Sequence, residues 1–158
     1  PCVNSYKRLL AGGEAPISLS WARANRSTLV RVPGYRPNRE MACRLELRSP
    51  DPSANPYLTF AVVLAAGLAG IEEGLEPPAP IEDRDLFTQP RQELLRQGFR
   101  TLPESLGQAV ELFRGSKLMR ETLGDHICDY LVEAKQTEWD EYQSNVSAWE
   151  LDRYLAVL

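Results

Sequence analysis

Arginine and glutamate alternate along Arg44-Leu45-Glu46-Leu47-Arg48. In an extended strand that period of two puts both guanidinium groups and the carboxylate between them on one face, with Cys43, Leu45 and Leu47 on the other. Such a row can receive an anion or pair with the charges of a neighbouring strand, and the segment alone leaves both readings open. The chain then turns at once. Ser49-Pro50-Asp51-Pro52-Ser53-Ala54-Asn55-Pro56-Tyr57 carries three prolines, which remove backbone donors, fix φ and demand a rigid elbow.

Other groups able to do chemistry lie upstream. Glu14 is the only ionisable residue of the Ala11-Gly12-Gly13-Glu14-Ala15-Pro16 loop. It can serve as a mobile lid and charge partner, or as a surface ion pair worth less than about 1 kcal/mol. Arg26 and Arg31 flank a turn and a strand, where they could reach a polyphosphate or make cross-strand salt bridges. Glu46 could ligate a hard cation such as Mg²⁺ or Mn²⁺, but one carboxylate supplies only one or two bonds, so further ligands must come from elsewhere. His126, the only histidine, lacks partners at metal spacing and reads as structural or solvent-facing. No Ser-His-Asp or Cys-His set can be assembled.

The charge distribution favours an anionic ligand. Residues 1–48 hold nine Lys and Arg against three Glu, while residues 49–158 hold nine against nineteen acidic groups. Eight of the nine front-end cations are arginine, the side chain that grips carboxylate and phosphate bidentately. With 158 residues, 43% hydrophobic and 25% charged, the chain fits one soluble domain with a sizeable core. Its start, Pro1-Cys2-Val3, reads as an internal piece of something longer and not as a secretory leader. Cys2, Cys43 and Cys128 form no C-x-x-C pair, which disfavours a disulfide framework or structural zinc and fits a reducing cytoplasm. The uncharged run over residues 52–71 is expected to be a buried helix, with a membrane segment the second choice.

Residues 17–21, 28–32 and 43–48 have strand character and are expected to form antiparallel sheet. Residues 57–73, rich in Ala, Leu and Val, predict a helix packed closely on several sides. Pro77-Pro78-Ala79-Pro80 then starts an extended connector. Thr101-Leu102-Pro103-Glu104 predicts a capped helix running to about Arg114. Ser116 is expected to cap a shorter helix closed by Gly124, and Asp125 to open a longer one through about Tyr142. Ser147-Ala148-Trp149-Glu150 is a capping box for a terminal helix. Trp139, Tyr142, Trp149 and Tyr154 either complete the core or dock on another subunit, the core being the expected role. No repeat or low-complexity tract is present.

Taken together, Asn4-Ser5-Tyr6-Lys7-Arg8, Gly13-Glu14-Ala15-Pro16, Asn25-Arg26-Ser27, the Arg44 to Arg48 row and the proline elbow resemble the C-terminal part of the glutamine synthetase catalytic domain. The resemblance is strongest over residues 1–74 and weaker through the helical remainder. It implies an α+β fold, with antiparallel strands in the N-terminal third (residues 1–50) and a mostly helical remainder (residues 51–158). It also implies a glutamate–ammonia ligase: ATP phosphorylates the glutamate side chain, and ammonia displaces phosphate from the γ-glutamyl phosphate. Arg8, Glu14, Arg26 and Arg48 then resemble substrate-binding residues, with Glu14 and Arg26 as catalytic groups. Arg26, Arg31 and Arg44 resemble nucleotide contacts, and Glu46 a ligand of Mg²⁺ or Mn²⁺.

By the same resemblance the partners are glutamate, ammonia and ATP, without nucleic acid or membrane. The full-length parent is expected to be a cytoplasmic dodecameric ring assembly, with residues 149–158 gripping the opposite ring, and the chain alone to be inactive. The chain departs from the family at Ala11-Gly12-Gly13, which implies a looser flap, and at Met41, where a nucleotide-contacting Lys is common and Arg39 lies near enough to substitute. Phe87 stands where some bacterial members carry an adenylylated tyrosine, and without a hydroxyl that regulation is impossible. Three other readings remain: a γ-glutamyl ligase for a different amine, a non-catalytic ring component, and an RNA-binding module using Tyr6, Trp21 and Tyr35 beside the arginines.

Overall fold

Short β-branched and alternating stretches, interrupted by Pro, Gly and Asn, yield only two-residue strands in the computed structural model, which describes residues 1–10, 12–34, 37–38 and 43–157. Strand β1 (Trp21–Ala22) pairs in parallel with β2 (Val30–Arg31), and β2 pairs antiparallel with β3 (Glu46–Leu47). The sheet order is β1-β2-β3. The α+β class and the helical remainder follow the expectation, but the sheet is mixed. The turn between β1 and β2 is tied to the 81–84 stretch by Asn25, whose amide donates to the Ile81 and Arg84 carbonyls at 2.9 and 2.8 Å. The upstream part of the first expected strand makes an isolated bridge, Ser18 to Thr101.

A 3₁₀ turn over Val3–Tyr6 precedes the sheet. Six α-helices follow among the described residues: α1 (Pro56–Glu72), α2 (Arg91–Arg96), α3 (Leu106–Arg114), α4 (Lys117–Leu123), α5 (Asp125–Ser144) and α6 (Ala148–Tyr154). Asn55 caps α1 by accepting from the Tyr57 and Leu58 amides, and Pro56 occupies the first helical position, where its missing N–H is no loss. Ser116 and the Ser147–Glu150 box cap α4 and α6 as the sequence predicts. Thr101 does not cap α3. It is used in the bridge to Ser18 and accepts from Arg91 Nη1 at 2.6 Å, while Glu104 pairs with Arg91 at 3.1 Å, so Ser105 caps instead.

The core gathers Leu9, Ile17, Leu86 and Leu94, with Tyr6, Ile81, Phe99 and Leu102 packed against it. It therefore lies between the loop before β1 and the 81–102 segment, directly behind the Gly12-Gly13-Glu14 loop. Burial pushes the Tyr6 phenol up to about 12, with the nearby Asp51 charge adding to the effect. Leu106, Val110 and Cys128 are buried where α3 meets α5.

Two packing expectations are corrected. Helix α1 buries no residue: Tyr57, Phe60, Leu64, Leu68 and Ile71 are exposed along it at helical spacing. Of the late aromatics, Trp139 is half-buried against Gly107, but Tyr142, Trp149 and Tyr154 are exposed. All three cysteines are free thiols, and no helix among the described residues is long and apolar enough to cross a membrane.

Candidate functional site

The proline elbow after β3 brings together two arginines that are far apart in sequence. The Arg48 amide donates to the Leu29 carbonyl at 2.9 Å, fixing where the chain leaves the sheet. Arg8, just beyond the 3₁₀ turn, donates from Nη2 to the Ser49 carbonyl. Together with Lys7 and the Gly12-Gly13-Glu14 loop they line one open groove of about 630 Å³. Arg8 Nε and Arg48 Nη1 are shielded from solvent and have no hydrogen-bond partner among the described residues. Shielded N–H donors are ordinarily paired, so the groove suits an anionic ligand whose oxygens would complete them.

The loop opposite is anchored at its stem and free at its tip. Gly12 has φ of 85°, a left-handed conformation that favours glycine, and its amide donates to the Phe87 carbonyl at 2.8 Å. A Cβ on Gly13 would sit 3.1 Å from the Leu10 carbonyl oxygen. Ala11 lies outside the described residues. Glu14 itself is exposed and forms no ion pair among the described residues.

A second cluster sits on the sheet. Arg31 and Glu46 are directly opposite in the β2–β3 register, with Arg31 Nε 3.4 Å from Glu46 Oε2. Arg44 Nη2 lies 3.1 Å from Glu46 Oε1. The alternating row thus divides: Arg44 and Glu46 join Arg31, whereas the Arg48 guanidinium leaves for the groove and lies 5.7 Å from the Phe87 ring centroid. The back of the row is apolar but not buried, since Leu45 is 62% exposed and Cys43 is exposed as well. Arg26, on an exposed turn, belongs to neither cluster. Arg39 and Met41 fall outside the described residues.

No group of three His, Cys, Asp or Glu able to hold a metal ion occurs among the described residues. Glu46 offers a single carboxylate, already shared by two guanidinium groups. These residues do not by themselves make a cation site. His126 is exposed in the first turn of α5, as expected. Sequence reasoning missed Lys7 as a groove residue and Phe87 as the surface beneath Arg48. No local spacing could have joined Phe87 to Arg48, because the contact exists only once the 81–102 segment folds back on the core.

A groove lined by two arginines and an acidic glycine loop, on a small mixed sheet leading into helices, belongs to an α+β domain. The family model described as the glutamine synthetase catalytic domain matches residues 1–154, and the chain belongs to that family. Over 155 residues it is 50% identical to the glutamine synthetase of Mycolicibacterium smegmatis, a match covering 98% of this chain and 34% of that protein. A ligand-free GmaS structure is similar at a TM-score of 0.76 and 34% identity, over 98% of this chain and 33% of that one. The Plasmodium falciparum glutamine synthetase structure shares the fold, with a TM-score of 0.79 at 20% identity over 96% of this chain and 37% of that one. The chain spans about a third of the length of the curated relatives it matches.

Proposed function

We propose that this chain is the C-terminal part of the catalytic domain of an ATP-dependent glutamate–ammonia ligase. The observation that carries this reading is the groove itself: two arginines with incompletely bonded guanidinium groups face an unpaired glutamate on a glycine-hinged loop. In this reading Arg8 and Arg48 hold the carboxylates of glutamate, and the Arg31–Glu46–Arg44 row, with Arg26, receives the phosphates of ATP. The γ-phosphoryl group passes from ATP to the glutamate side-chain carboxylate, releasing ADP. Positioned guanidinium groups stabilise the charge that spreads over the transferring oxygens.

Glu14 then closes over the acyl phosphate, excludes water and accepts a proton from the entering ammonium. The resulting ammonia attacks the γ-carbonyl carbon, the C–O bond to phosphate breaks, and glutamine and inorganic phosphate leave. When Mg²⁺ or Mn²⁺ is bound it screens the phosphate charge. Glu46 would be one of its ligands, with the others supplied from outside this chain.

The exposed apolar stripe of α1 fits the same reading, because in a parent about three times as long, like the relatives, the remaining residues would offer the surface to cover it. The exposed Trp149, Tyr154 and Val157 of the terminal segment suit a contact between subunits of a cytoplasmic ring. The test is product analysis. The parent protein should convert ATP, glutamate and ammonia to equal amounts of ADP, phosphate and glutamine, and residues 1–158 alone should make none. Glutamine formed by the isolated chain, or an intact parent that forms none, would contradict the proposal.

A further inference from the structure

Phe87 touches both walls of the groove without lining it. Its ring lies under the Arg48 guanidinium at 5.7 Å, within cation–π range, and its carbonyl accepts the Gly12 amide at 2.8 Å. The guanidinium makes no hydrogen bond or ion pair among the described residues, and its Nη1 is shielded and unpartnered. The ring face is therefore the contact that holds the Arg48 head in place before a ligand arrives. The backbone contact meanwhile pins the stem of the Glu14 loop at the residue with positive φ.

Phe87 is itself rigidly seated. Its amide donates to Asp85 Oδ1 at 2.9 Å, and the neighbouring Leu86, only 2% exposed, is part of the core. The Leu86 amide donates to Ser27 Oγ at 2.9 Å, which ties the same turn to the segment carrying Arg26. One short turn thus connects Arg48, the loop of Glu14 and the turn of Arg26.

We infer that Phe87 is a positioning residue: its aromatic face presets the Arg48 guanidinium for the substrate carboxylate, and its carbonyl fixes the groove width by holding Gly12. This rests on the reading of the groove as the glutamate site. An unheld arginine must be ordered on binding, so losing the ring should weaken ground-state binding of the anion that Arg48 grips, not that of the nucleotide.

The experiment is steady-state kinetics of the intact parent protein carrying Phe87→Ala, Phe87→Leu and Phe87→Tyr. Phe87→Ala and Phe87→Leu should each raise the glutamate KM about fivefold, the size of a modest cation–π contact, with the ATP KM unchanged within about twofold. Phe87→Tyr, which keeps the ring, should restore the wild-type value. Leucine fills the apolar space without a π face, so it separates the ring's electrostatics from its bulk even where alanine unfolds the protein. A wild-type glutamate KM in Phe87→Leu, or equal rises for both substrates, would overturn the inference. If wild-type parent forms no glutamine, the functional reading fails instead, so the two failures are distinguishable.

Discussion

Glu14 and Glu46 are both carboxylates near arginines, yet their surroundings differ, and the proposed function gives them different work. Glu46 is held between Arg31 and Arg44 on a sheet, a partly exposed network that fixes side chains in place. Glu14 is exposed and unpaired on a loop whose stem alone is anchored. A group that must take a proton from a substrate needs that freedom, whereas one that orders cations does not. In the parent protein Glu14→Ala should therefore lower turnover by about a hundredfold, within the usual range for losing a positioned acid–base group. ATP affinity, measured by calorimetry, should stay nearly intact. Unchanged turnover at saturating substrates would remove Glu14 from the chemistry.

Helices supply the frame that holds the groove, and their contacts show what the sequence discloses and what it withholds. Capping was legible at Ser116 and Ser147. It was misplaced before α3, where the expected cap, Thr101, is taken up by the bridge to Ser18 and Ser105 caps instead. The parallel pairing of β1 with β2 was not legible, because alternation reports which face a residue occupies and not the direction of its partner. Helix α1 announced that it was apolar all round, but a hydrophobic pattern says that a surface must be covered and not by what.

The groove shows the same division. The arginines and Glu14 could be named from local motifs, while the meeting of Arg8 with Arg48, and of Arg48 with Phe87, depends on contacts distant in sequence. The close approach of α3 to α5 was likewise invisible. A Cβ on Gly107 would sit 2.5 Å from Trp139 Nε1. On an open helix face Gly→Ala stabilises by up to about 1 kcal/mol; here Gly107→Ala should destabilise the chain by roughly 1–3 kcal/mol, because the indole must be displaced. The sign of the shift in the urea midpoint checks this: a rise would mean that the two helices are not in contact there.

At the scale of the molecule, the basic front third and the acidic remainder divide the labour. Residues 1–48 gather the cations that face the groove and the sheet row, and residues 49–158 supply the turns and helices that hold them. In the proposed assembly the exposed faces of α1 and α6 would meet the rest of the parent protein and its neighbouring subunits. The central claim is that Arg8 and Arg48 converge to hold the amino-acid substrate. It is tested most directly by the glutamate and ATP KM values of the parent protein carrying Arg48→Ala. Loss of a charge-assisted contact of about 1.5–3 kcal/mol predicts a glutamate KM raised by about ten- to a hundredfold, with the ATP KM changed less than about twofold. A glutamate KM equal to that of the wild type would contradict it.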